Sequence, residues 1–116
     1  MRDDKENLIV NMTFKFALEI IRCSKELQKS KDYSLADQLF RSGVSIGANV
    51  REAQNAESKS DFIHKMKIAA KEADEVEYYL FLIQQSDCYE INNLPIEEIK
   101  SIIRVLSKII ASSKSS

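Results

Sequence analysis

Apolar residues recur at steps of three and four along four separate stretches of this chain, and that period predicts four helices. The first spans about 7–30. Ile9, Met12, Phe16, Ile20, Cys23 and Leu27 form one stripe along it, and Val10, Phe14, Ala17, Leu18 and Ile21 form a second, displaced around the axis. Only the strip bearing Asn11, Lys15, Glu19, Arg22 and Glu26 is fully polar. A helix in a solitary four-helix bundle needs one apolar face, and this one has nearly two.

The second helix, about 34–55, carries Leu35, Leu39, Ser42, Ile46, Asn49, Val50 and Ala53 on its core stripe, with Ser34 as the expected N-cap after a Lys31–Ser34 connection. Ser42 and Asn49 make that stripe partly polar, so each needs a hydrogen-bond partner if buried. The third helix, about 58–85, aligns Phe62, Met66, Ala69, Ala73, Val76, Leu80 and Ile83, opened by Ser58 and Asp61 as a capping box with a shortened acid. Ser86–Leu94 is irregular. Pro95 starts the fourth helix, about 95–111, whose Ile96, Ile99, Ile102, Ile103, Leu106, Ile109 and Ile110 cover one broad side before a disordered tail. The predicted fold is all-α, an antiparallel up-down-up-down four-helix bundle forming one domain over residues 1–116, its charged start frayed.

Gly43 and Gly47 stand one turn apart inside the second helix, each costing roughly 1 kcal/mol of helix propensity relative to alanine. Close approach of a neighbouring helix at that smooth shoulder is the expected offset. A phosphate-binding glycine loop would follow a strand, and no strand pattern precedes these residues. Phe40 and Val44 lie beside the glycines, away from the core stripe. Together with Val10, Phe14 and Leu18 they predict a contact surface between copies of the chain.

Composition narrows the function. The 116 residues include two glycines, one proline and 30% charged side chains, which suits long helices, and the net charge of −1 supplies no global basic field. The apolar runs are too short to span a bilayer. Cys23 and Cys88 read as free thiols in a reducing, cytoplasmic setting. A di-metal bundle needs two Glu-x-x-His motifs, whereas this chain has one histidine, His64, read as a surface residue. No catalytic residue, cofactor site or metal site is assigned, and the chain is read as non-enzymatic.

Charge patterning adds two expectations. Pairing the second and third helices about their turn places Arg41 near Glu72 and Glu75, a register-fixing ion pair. Arg51, His64, Lys67 and Lys71 form a basic outward set, which in an oligomer would be repeated around the assembly and raise weak phosphate contacts by avidity. Nucleic-acid binding, to RNA or DNA, is therefore the alternative to a scaffold or adaptor role.

The run RSGVSIGANVREAQNAESKSDFIHKMKIAAKEADEVEYYLFLI resembles the bacterial four-helix-bundle family of 23S ribosomal RNA intervening-sequence proteins, with agreement strongest at Arg41, Ser45, Ile46, Gly47, Asn49, Arg51, Glu52, Ala53, Glu57, Ser58, Asp61, Phe62, Lys71, Glu72, Ala73 and Glu77. Tyr79 stands where many relatives carry tryptophan. The resemblance implies a ring-like homopentamer and kinship with the accessory variability proteins of diversity-generating retroelements, basic pentamers that bind nucleic acid and a reverse transcriptase. It thus implies as partners further copies of the chain, and nucleic acid or a nucleic-acid-processing protein. The acidic balance here departs from those basic relatives.

Overall fold

The structure is a computed structural model that describes residues 7–115. It contains α1 (Leu8–Lys29), α2 (Tyr33–Ala53), α3 (Lys59–Gln85) and α4 (Ile96–Ser115), with no strand among the described residues. The expected frayed start, residues 1–6, lies outside the described residues. Each helix packs on the next and α4 also meets α1, whereas α1 and α3, like α2 and α4, stand diagonally apart. Gly43 faces Ile20 and Gly47 faces Thr13. Ser42 meets Glu75 and Glu52 meets Lys65. Phe81 lies under Lys100 and Lys67 beside Lys114. In these three sequential pairs, partner numbers fall as residue numbers rise.

The stripes built the core. Ile9, Phe16, Ile20 and Leu27 of α1 meet Leu39, Ile46 and Val50 of α2, Met66, Val76 and Leu80 of α3, and Ile99, Ile102 and Leu106 of α4, all buried. Each such side chain contributes about 1.5–3 kcal/mol of transfer free energy, which offsets the ordering entropy of the helices. The glycine shoulder receives α1 as the spacing predicted. A Cβ at Gly43 would stand 2.6 Å from Ile20 Cγ2, and one at Gly47 would stand 3.3 Å from Thr13 Oγ1. Of the two polar stripe residues, buried Ser42 donates to Glu75 Oε1 at 3.3 Å, and half-buried Asn49 donates to the Ser45 carbonyl of its own helix at 2.9 Å.

Two boundary readings change. Lys31 adopts a left-handed φ of 65°. Its N–H donates to the Gln28 carbonyl at 2.9 Å and that of Asp32 to the Leu27 carbonyl at 3.1 Å, a Schellman closure of α1. The chain reverses early, so Asp32, not Ser34, caps α2 by accepting from Leu35 N–H at 3.1 Å. At the other end, the segment read as a disordered tail continues α4 to Ser115, with Ala111 favouring the helix and Lys114 facing the negative end of its dipole. Ser58 caps α3 as expected, but Asp61 reaches back to the Glu57 N–H, one residue beyond the usual capping-box partner.

The α3–α4 loop is clasped onto the α1–α2 end. The Arg22 guanidinium donates to the carbonyls of Asn92 and Asn93, at 3.3 and 2.6 Å, and the Tyr89 hydroxyl donates to Asp32. The Tyr89 hydrogen bond, and after it the Leu35 N–H, holds the Asp32 carboxyl below the usual carboxylate range, while the Asp32 bond and desolvation push Tyr89 up to about 12. The raised tyrosine pKa stabilises the fold fully below about pH 10, and that contribution is lost as pH rises towards 12. The lowered aspartate pKa contributes above about pH 4 and is lost as pH falls through the depressed value. Tyr89→Phe is expected to lower stability at neutral pH by under about 1 kcal/mol, since the pair is only half-buried, and to flatten the alkaline decline. Urea unfolding at a series of pH values checks this; an unchanged slope between pH 10 and 12 would exclude the clasp.

Candidate functional site

The second stripe of α1 and the outward residues of α2 flank the glycine shoulder and leave its outer side uncovered. Phe14 is 61% exposed, Leu18 52% and Phe40 43%, while Val10 and Val44 are half-buried beside them. Val10, Phe14, Leu18 and Val44 line one groove of about 430 Å³ along the α1–α2 seam. Phe40 lines the adjoining groove of about 400 Å³, and Ile21 belongs to both, so the five predicted contact residues form one continuous apolar face. Its formation follows from the small residues beneath it. Gly43 and Gly47 draw the two backbones together, and the large side chains on either side are pushed outwards.

This face also holds an unmet polar group. Ser24 Oγ is buried in the second groove and has no hydrogen-bond partner among the described residues. At the rim, Asp37 is already neutralised by Arg41 at 3.0 Å. Lys25 and Arg51 line the two grooves and are exposed without a carboxylate partner among the described residues. The face is thus apolar at its centre and net positive at its edge.

The predicted pairing of Arg41 with Glu72 and Glu75 is not made. Arg41 turns outwards to Asp37, one turn back on its own helix, and its neighbour Ser42 takes Glu75 instead. The register was right and the rotation was wrong by one residue, about 100° around α2. The basic set is divided as well. His64, Lys67 and Lys71 are exposed along α3, whereas Arg51 lines the α1–α2 groove next to Phe14. Lys67 instead meets Lys114 of α4, whose ammonium lowers the Lys67 pKa by hydrogen bonding and repulsion. Lys114 was missed because its segment was read as tail; extending the period of the fourth helix by one turn would have found it.

Among the described residues, no group of three His, Cys, Asp or Glu could hold a metal ion. Cys23 is buried, and desolvation pushes its thiol up, away from the nucleophilic thiolate, while Cys88 is exposed in the loop. Both are free thiols. In a groove of about 710 Å³ between α1 and α4, lined by Met12, Phe16, Glu97 and Ser101 among others, the Ser101 hydroxyl accepts from Arg104 at 3.2 Å. No helix among the described residues is long and apolar enough to cross a membrane.

Comparison with known proteins agrees with this helical architecture. A crystal structure of a protein of unknown function from the S23 ribosomal protein family of Bacteroides thetaiotaomicron VPI-5482 superposes with a TM-score of 0.83 at 36% identity, covering 89% of this chain and 98% of that one. No curated protein matches the sequence. The family profile described as 23S rRNA-intervening sequence protein matches residues 5–112, nearly the whole length. The chain belongs to the 23S rRNA-intervening sequence protein family.

Proposed function

We propose that this chain is a non-enzymatic, cytoplasmic scaffold or adaptor, an antiparallel up-down-up-down bundle that self-associates through the outer face of α1 and α2, into a ring of five by the resemblance. The observation that carries the reading is the continuous apolar face holding Phe14, Leu18 and Phe40, each more than two-fifths exposed. A monomer that leaves such a face wet gains nothing from it, while association removes it from water at about 25 cal/mol per Å². The partner numbers that fall along the three sequential helix pairs support the antiparallel arrangement. Mass measured by light scattering at micromolar concentration tests the proposal. A multiple of the 13.3 kDa chain is expected, and a monomer overturns it.

One observation favours a second reading, binding of RNA or DNA. Lys67 of α3 and Lys114 of α4 lie side by side and repel one another, beside exposed Lys71 and His64. A phosphate between them would relieve the repulsion. Retention on RNA that weakens steeply with salt, and less steeply in Lys67→Glu, would favour it; no retention at low salt removes it.

A further inference from the structure

We infer that the α1–α2 face is filled by the C-terminal half of α3 from a second copy of the chain, so that contact between copies is head-to-tail. The inference rests on the self-association reading and names the surface that completes it. The run YYLFLI is apolar on every side of its helix. Leu80 and Ile83 enter the core, which leaves Tyr78 60% exposed, Leu82 44% exposed and Phe81 facing outwards beneath Lys100. At helical spacing of three and four these three make one patch, on a helix diagonal to α1 and separate from the α1–α2 grooves.

Charge decides which patch meets which. From Glu72 to Gln85, α3 carries four carboxylates and no basic side chain, and Asp74 and Glu77 make no ion pair among the described residues. The α1–α2 face is bordered by Lys25 and Arg51, which make no ion pair among the described residues. If either patch met its own copy, its unpaired charges would oppose like charges, which is unfavourable at a desolvated interface. Joining the two unlike patches sets carboxylates against cations and covers both apolar centres. It also brings polar groups of a partner, the exposed Tyr78 hydroxyl among them, to the groove that holds the orphaned Ser24 Oγ. Two different patches on one molecule give a heterologous contact, which closes into a ring when the rotation permits.

Complementation of two single variants tests this. Phe14→Glu spoils the α1–α2 face and Leu82→Glu spoils the α3 patch, and each alone is expected to be a folded monomer. Mixed, they retain one good patch apiece and are expected to form a 1:1 heterodimer of twice the monomer mass that grows no further. If Leu82→Glu keeps the parent mass while Phe14→Glu dissociates, the face pairs with itself; the assignment to α3 then fails and self-association stands. A monomeric parent defeats both. Should Leu82→Glu lose its helical circular dichroism, Tyr78→Glu at the more exposed position replaces it in the same mixture, with the same two readouts.

Discussion

Gly43→Val is expected to cost about 2–3 kcal/mol of unfolding free energy, while Gly47→Ala, one turn along the same helix, stays within about 1 kcal/mol of the parent. The contrast lies in what an added Cβ meets. At Gly43 it would stand 2.6 and 2.8 Å from Cγ2 and Cγ1 of Ile20. Ile20 is fully buried in the core, so it has no room to swing aside. Valine adds two methyls to that collision, and overpacking of a buried seam costs typically 1–3 kcal/mol, only partly offset by better helix propensity than glycine. At Gly47 the nearest atom is Thr13 Oγ1 at 3.3 Å, where a shift of a few tenths of an ångström suffices. The Thr13 hydroxyl is held by the Ile9 carbonyl at 2.8 Å, which resists that shift, while alanine returns about 1 kcal/mol of propensity. A domain of this size has roughly 5–15 kcal/mol in total, so the valine variant is clearly weakened. Urea unfolding of both variants measures the difference. Equal midpoints for parent and Gly43→Val would mean that α1 and α2 do not meet at this shoulder.

That shoulder was legible in the sequence because glycine inside a helix is costly and the helical period says what lies one turn away. The four stripes were legible for the same reason, and the exposed face of α1 followed from counting apolar positions that one core cannot take. Legibility ended where the period ends. The clasp of Arg22 on the Asn92 and Asn93 carbonyls and of Tyr89 on Asp32 joins residues about 60–70 positions apart through a loop with no repeat. The cap at Asp32 depends on Lys31 entering the left-handed region, a choice that no local preference of lysine announces. Arg41 shows a subtler limit: pairing the helices about their turn set how far along α3 the second helix lies, but the side chain's direction also needs the helix's rotation, and Asp37 was nearer. In the α3 patch the core stripe was legible, because Leu80 and Ile83 continue its spacing and both are buried. The period assigns only that stripe, and the outward Tyr78, Phe81 and Leu82 went unread beside it.

Phe14→Glu is expected to raise the dissociation constant of the assembly by about a hundredfold or more while leaving the bundle folded. Phe14 and Phe16 are two residues apart, chemically identical and oppositely placed, one 61% exposed and the other 2%. Glutamate at Phe14 extends into solvent in a single subunit, and substitutions at such positions change stability by about 0.5 kcal/mol or less. In the association, the same carboxylate would be driven into an apolar groove. Loss of an aromatic anchor there costs about 2–4 kcal/mol, and a stranded charge adds to it. At 1.4 kcal/mol per decade that is roughly thirtyfold to a thousandfold for the anchor alone, enough to shift a micromolar sample to monomer. Glutamate at Phe16 instead places a charge in the core, and that variant is expected to lose its helical signal before any question of mass arises. Circular dichroism melts and light scattering on the pair separate the two effects. A Phe14→Glu protein that melts with the parent and keeps its mass would place the contact between copies elsewhere. One that unfolds as Phe16→Glu does would put Phe14 inside the bundle, and the case for an open apolar face would fall with it.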